Sequence, residues 1–183
     1  MRSLTTADFP KVLDRLLEFE RQSFGDYPYT PAPERLTLWW QTANFFLAGV
    51  EDETTGRLDS LFTVVLTTTD QYQAFKEGTL SSSKAMAPHD GDPKKAAAIY
   101  IPTLIVGDRY WMPVIFKSLM RELDAGMKAR GLHSEIVFAT AADKRAKFLL
   151  SRFGFSEAGE YKDGYKIMTA TRASSALYKN MVR

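Results

Sequence analysis

The sequence predicts a single α/β domain, because helical and strand-type patterns alternate along most of its length. Its 183 residues are 45% hydrophobic and 13% aromatic, enough for burial in one core to offset the loss of chain entropy. Both halves contain apolar residues at helical spacing together with runs rich in β-branched residues. We expect one domain at 1–172, with an inserted loop or arm at 79–96, and a C-terminal tail at 173–183.

Composition argues against several classes of protein. Lys and Arg number 24 against 22 acidic residues, a net charge of +2, whereas proteins that bind nucleic acid through its phosphates usually carry a clear basic excess. The absence of Cys removes disulfides, thiol nucleophiles and zinc–thiolate sites, and we predict no metal site. No apolar leader opens the chain, and the longest apolar run, 99–106, is too short to span a bilayer. We expect a soluble, cytoplasmic protein without a nucleic-acid or membrane partner.

The N-terminal half has clear boundaries. Thr5 or Thr6 offers a hydroxyl cap for a helix that ends near Gly25. The turn residues of 51–57 join two β-rich runs into a hairpin. We predict strands at 1–4, 45–50 and 58–69, helices that end near 25 and cover 33–43 and 70–78, and a loop at 26–31.

The C-terminal half is more regular. We predict strands at 97–106, 135–140 and 165–171, a loop at 107–112, and helices that end at Gly131 and Gly154. Pro102 falls inside the strand at 97–106 and has no N–H to give to a sheet. A bulge at that point would accommodate it.

Three short segments and the order of these elements carry a family resemblance. The opening RSLTTAD at 2–8 has the spacing Arg, two residues, Thr, two residues, Asp. LIV at 104–106 is followed by a loop and a helix with LM at 119–120, and Asp143, Ala146, Phe148 and Gly154 form a late segment. Together these features resemble the GCN5-related N-acetyltransferase (GNAT) superfamily. The resemblance implies a mixed central sheet of about seven strands flanked by about four helices.

The resemblance also implies a binding site for acetyl-CoA, from which this chain departs. Active members hold the pyrophosphate on bare backbone N–H groups at a helix N-terminus. Counting from Val106, the two glycine positions of that motif fall on Val114 and Phe116, and Pro113 removes one N–H. The sequence therefore predicts that the phosphate site is obstructed.

A second departure concerns the proton donor. Many active members place a Tyr four residues before the late glycine, where its hydroxyl protonates the leaving thiolate. Leu150 occupies that position here, while Ala146 and Gly154 keep the structural positions. We therefore expect a non-catalytic structural or interaction module without a cofactor. The segment 148–171 is similar to acetyltransferase-like proteins of short-tailed bacteriophages, which implies a virion or assembly role.

Two alternatives stay open: an acetyl-CoA-dependent N-acetyltransferase with an atypical pyrophosphate loop, and a sensor that binds an acyl-CoA without reacting it. The resemblance implies that the residues that would hold acetyl-CoA are Leu104, Val106, Arg109, Tyr110, Trp111, Lys144 and Lys147. The candidates for catalysis are Glu51 and Glu135 as bases and Tyr161 as acid. The competing interpretation is that the aromatic pair at 110–111 closes the core and that the cations at 144–152 form a solvated helix face.

As an interaction module, the chain would contact other protein subunits through the arm at 79–96 and the tail at 173–183. The observation that separates the alternatives is the gap between the strands at 97–106 and 135–140. It is either open or filled by Phe116 and Trp111.

Overall fold

The computed structural model of the chain describes residues 1–25, 32–80, 98–141, 143–161 and 164–171. The loop predicted at 26–31, residues 81–96 of the arm and the tail at 173–183 lie outside the described residues.

Seven strands and five helices make up the described chain. The strands are β1 (Arg2–Leu4), β2 (Phe45–Glu51), β3 (Leu58–Thr67), β4 (Ala98–Ile105), β5 (Ile136–Ala141), β6 (Ser156–Glu160) and β7 (Lys166–Thr171). The helices are α1 (Phe9–Phe24), α2 (Pro33–Gln41), α3 (Thr69–Lys76), α4 (Met112–Ala129) and α5 (Lys144–Arg152). None of these helices combines the length and hydropathy that a membrane-spanning segment needs.

The boundaries agree with the sequence pattern to within about two residues, the usual uncertainty at helix ends. Residues 109–111 were expected in a loop but form a 3-10 turn, and α4 begins one residue before Pro113. The five helices of the described chain are consistent with the expected number of about four, and Thr68 and Gln71 cap the short α3 through reciprocal hydrogen bonds of 3.0 and 3.1 Å. The sequence pattern did not mark β6, since none of its residues is buried.

All seven strands form one mixed sheet in the order β1-β2-β3-β4-β5-β7-β6. Neighbouring strands are antiparallel except β4 and β5, which pair in parallel. The parallel pair requires a crossover, which α4 provides. The expected mixed α/β sheet is confirmed.

Helices cover both faces of the sheet. One core packs α4 and α5 against the sheet through residues such as Phe62, Leu119 and Leu150. The other core packs α1, α2 and α3 against the opposite face through residues such as Leu16 and Phe138. Because the central strands are buried on both faces, their sequences are almost continuously apolar.

Candidate functional site

The strands β4 and β5 part halfway along β4. Within the described residues, their parallel pairing ends at Ile101 and Ala139, although β4 continues to Ile105. Pro102 follows the last pair, at the point where the register between β3 and β4 shifts. The bulge expected at Pro102 is therefore confirmed. Since Pro102 cannot donate a ladder hydrogen bond, the second half of β4 is not tied to β5.

The loop after β4 is held against the start of β3. The Gly107 N–H donates to Ser60 Oγ at 3.2 Å, and the Asp108 N–H donates to Asp59 Oδ2 at 3.2 Å. Ser60 Oγ donates to the same carboxylate at 2.8 Å. A side chain on Gly107 would place its Cβ 2.6 Å from the Asp59 carbonyl oxygen. Glycine therefore allows the close contact between loop and strand.

The 3-10 turn that precedes α4 also satisfies its own backbone. The Tyr110 N–H donates to Asp108 Oδ1 at 2.9 Å, and the Trp111 N–H donates to the Asp108 carbonyl oxygen at 3.1 Å. Pro113, in the first turn of α4, has no N–H. The carboxylates of Asp59 and Asp108 thus accept N–H groups of the loop and of the 3-10 turn that precede α4.

Phe116 packs between α4, β3 and the residue that follows α5. Its side chain is 9% exposed, and its ring lies 4.5 Å from that of Phe62 and 5.4 Å from that of Phe153. Phe62 pairs with Leu104, beyond the bulge in β4, whereas Phe153 follows α5. Trp111 packs against the same core. Both side chains therefore belong to the core on the α4 face of the sheet, and their filling of the gap between β4 and β5 stays a prediction.

The five cofactor candidates at the end of β4 differ in environment. Leu104 and Trp111 pack against the core under α4, and Val106 is half-buried. Arg109 and Tyr110 are exposed, and the Tyr110 ring meets that of Trp111 edge-on at 5.3 Å. The structure therefore groups Arg109, Tyr110 and Trp111 in one turn between β4 and α4.

The two remaining cofactor candidates lie on α5. Lys144 is exposed at the first residue of the helix. Lys147 forms an ion pair with Glu157 at 2.5 Å, which lowers the pKa of the Glu157 carboxyl. Leu150, which the resemblance places at the proton-donor position, is 5% exposed in the core beneath the helix.

Both predicted bases form ion pairs within the chain. Glu51 is buried at the end of β2, where its two oxygens accept from Arg2 Nε at 2.9 Å and Arg15 Nη1 at 2.6 Å. Both carboxylate oxygens of Glu51 are therefore engaged by guanidinium groups of the chain. Glu135 is exposed and pairs with His133 Nε2 at 2.5 Å.

The predicted acid, Tyr161, lies on the other face of the sheet from α4. Its side chain is 2% exposed in the core beneath α1 and α3, and its ring stacks on Phe75 at 4.6 Å. The structure therefore does not bring Tyr161 together with the cofactor candidates at the end of β4.

A carboxyl group absent from these candidates lies beside the bulge. Glu20 of α1 is 8% exposed and accepts a short hydrogen bond from Thr103 Oγ1. Burial raises the pKa of Glu20 to about 7 against the opposing effect of this hydrogen bond. The sequence could have indicated that Glu20 is buried, because its spacing from Val12 and Leu16 places all three residues on the buried face of α1.

Replacing Gly107 by Ala should destabilise the protein by about 1–3 kcal/mol, because the new methyl would overlap the Asp59 carbonyl and carboxylate. Urea denaturation measures the change. Gly159→Ala is the matched control, since its Cβ would make only an ordinary contact of 3.9 Å with Ile167. Equal stabilities for the two variants would contradict the close contact between the loop and β3.

Comparisons with known proteins identify the fold. No protein-family profile matches the sequence, and no curated protein matches it significantly. Solved structures do match. FeeM, an N-acyl amino acid synthase from uncultured soil microbes, has a TM-score of 0.56 at 10% identity over 96% of this chain and 99% of that chain.

Two further structures agree with this result. A GNAT-family acetyltransferase from Listeria monocytogenes 4b F2365 has a TM-score of 0.52 at 14% identity, over 93% of this chain and 92% of that chain. The PaiA N-acetyltransferase from Thermoplasma acidophilum, solved with coenzyme A, has a TM-score of 0.50 at 12% identity, over 93% of this chain and 99% of that chain. The chain has the fold of the GNAT acetyltransferases, as its element order predicts.

Proposed function

We propose that the chain is a non-catalytic interaction module built on the acetyltransferase fold. The observation that carries this proposal is the hydrogen bonding of the loop after β4. The N–H groups of Gly107, Asp108, Tyr110 and Trp111 all donate to acceptors within the chain. A pyrophosphate needs such groups free at a helix N-terminus.

Charge and packing also oppose the binding of a diphosphate at this loop. A diphosphate placed at this loop would meet the carboxylates of Asp59 and Asp108, which already accept the loop's amides. Repulsion between like charges opposes that arrangement. Phe116 adds a steric obstacle, since its ring packs between Phe62 and Phe153. The family's proton donor is replaced by the buried Leu150.

The partners that we propose for this module are other protein subunits, contacted through the segments 79–96 and 173–183. A place in a bacteriophage virion stays a prediction from the similarity of segment 148–171 to phage proteins. Both ideas require a surface for binding rather than an active site, and the retained scaffold is compatible with that role.

Isothermal calorimetry with CoA tests the proposal. We expect no binding heat at millimolar CoA, and the PaiA enzyme, which was solved with coenzyme A, serves as the positive control. Saturable binding at micromolar CoA would correspond to about −8 kcal/mol. Such a result would overturn the proposal, because it would require a phosphate site that the loop's own hydrogen bonds now occupy.

An acetyl-CoA-dependent N-acetyltransferase is the second candidate, and Glu20 is the observation that favours it. Glu20 lies against Thr103, on the stretch of β4 that is not paired with β5. The neighbouring Thr63 has a buried hydroxyl without a hydrogen-bond partner in the described chain. A carboxyl with a pKa of about 7 is suited to take a proton from an amine.

A thiol-release assay distinguishes the two candidates. The chain contains no Cys, so any thiol detected after incubation with acetyl-CoA and a panel of primary amines comes from the cofactor. A module gives no thiol above the background of hydrolysis. An enzyme that uses Glu20 would release thiol at a rate that rises with pH through about 7. In Glu20→Gln the rate would be no higher than the background of hydrolysis.

A further inference from the structure

We propose that the exposed face of α5 around Phe148 binds an acidic protein segment that carries an apolar side chain. This inference rests on the proposed function of the chain as an interaction module, and it names a binding surface within the described residues and the chemistry of its partner.

The first observation is the exposure of one aromatic ring. Phe148 is 65% exposed, whereas Leu150 of the same helix is 5% exposed and holds α5 against the sheet. Phe148 therefore adds nothing to the core that fixes the helix. A large apolar side chain in solvent stands to gain free energy when a partner covers it.

The second observation is the set of cations that surrounds this ring. Lys144 and Arg145 precede Phe148 by four and three residues, and Arg152 follows it by four, so all three share its helix surface. The Arg152 guanidinium carbon lies 6.0 Å from the centre of the Phe148 ring, a cation–π contact. We call this set, Lys144, Arg145, Phe148 and Arg152, the α5 patch.

The charges of the α5 patch are not balanced within the described chain. No carboxylate there forms an ion pair with Lys144, Arg145 or Arg152, whereas the fourth cation of the helix, Lys147, pairs with Glu157. The helix has no acidic residue of its own. An acidic partner would supply the missing countercharge.

An acidic peptide fits the α5 patch better than a nucleic acid. The patch offers one exposed ring, whereas single-stranded nucleic acid is usually held by several stacking rings along a basic groove. The helix is only about 13 Å long, and the whole chain has a net charge of only +2. One apolar anchor within a charged rim is a common arrangement of protein–protein hot spots.

The test uses a short fluorescein-labelled peptide of glutamate residues with two central leucines, followed by fluorescence anisotropy. We expect Phe148→Ser to weaken binding by at least about tenfold. The double variant Lys144→Ser, Arg145→Ser should have a comparable effect that disappears at high salt. A second peptide replaces the two leucines by serine. Its affinity for the wild-type protein should be about as low as the affinity of Phe148→Ser for the leucine peptide.

The control variants remove an exposed apolar side chain and an exposed cation from helices on the other face of the sheet. Leu38→Ser removes a side chain that is 48% exposed on α2, and Lys11→Ser removes an exposed charge on α1. Both should leave peptide binding unchanged. Circular dichroism checks that Phe148→Ser is folded, as expected for a substitution at an exposed helix position.

Three outcomes overturn the inference: no peptide binding at low salt, equal affinities for Phe148→Ser and Leu38→Ser, or tighter binding of an oligothymidylate of matched charge. The CoA titration reports separately on the proposed function. If CoA binds while Phe148→Ser still loses the peptide, the proposed absence of a cofactor site is wrong and the inference about the α5 patch is supported. If neither CoA nor peptide binds, only the α5 patch is wrong.

Discussion

Replacing Phe116 by alanine should lower the free energy of unfolding by about 3–5 kcal/mol, the usual cost of truncating a buried phenylalanine. The ring is 9% exposed and packs against those of Phe62 and Phe153, so its removal leaves a cavity between β3, α4 and the residue that follows α5. Urea denaturation measures the change. Phe116→Leu retains part of the volume and should cost less than Phe116→Ala.

Val114→Ala is the matched control, because Val114 is on the same helix and is 42% exposed. Its stability should stay within about 0.5 kcal/mol of wild type. A loss below about 1 kcal/mol for Phe116→Ala would contradict a space-filling role for the ring. We also expect no thermal stabilisation of Phe116→Ala by CoA, since a cavity does not release the amides that Asp59 and Asp108 engage.

Replacing Glu20 by glutamine should stabilise the protein at neutral and alkaline pH. The folded carboxyl has a pKa of about 7 against an ordinary value of 4.5, so the folded state holds a proton that the unfolded state has lost between these values. Wild-type stability therefore falls as pH rises through this window. Integrated over the window, the effect is about 3 kcal/mol.

Because the amide introduced by Glu20→Gln is neutral at every pH, the stability difference between the variant and wild type should be constant below pH 4.5. It should grow as pH rises and level off above about 7. Denaturant curves across the pH range measure this difference. Asp14→Asn removes an exposed carboxylate from the same helix and serves as the charge-matched control.

Thr103→Val provides a second test of the same carboxyl. The hydrogen bond from Thr103 lowers the pKa of Glu20. Its loss should therefore move the upper end of the pH range over which wild-type stability falls to higher pH.

A stability difference between Glu20→Gln and wild type that does not change with pH would show that Glu20 has the same pKa in the folded and unfolded states. Glu20 would then no longer be a candidate for the catalytic base.

The element order and the mixed sheet could be predicted from the sequence because they rest on local periodicity. Apolar spacing in α1 and α4, the turn at 52–57 and the continuous apolar run of β4 are all visible in short windows. The strand β6 was not visible, because an exposed edge strand without buried residues has no apolar alternation. Pro102 marked the bulge, since its missing N–H has few places in a sheet.

The candidate site was predicted only in part. The resemblance predicted that Phe116 and Leu150 stand where active members have a glycine and a tyrosine, and the structure buries both side chains. The acidic candidates Glu51 and Glu135 were chosen for their position near strands, and the structure pairs them with Arg and His. Whether a carboxyl is free, paired or buried depends on neighbours that are distant in the chain.

Local patterns by themselves determined that this chain is an α/β domain, with an element order that resembles that of the acetyltransferases. Only the tertiary structure decided which groups meet. Glu20 and Thr103 are 83 residues apart in sequence, and Asp59 reaches an amide 49 residues away. Hydrogen bonding and desolvation act through space, so a pattern read along the chain contains neither contact.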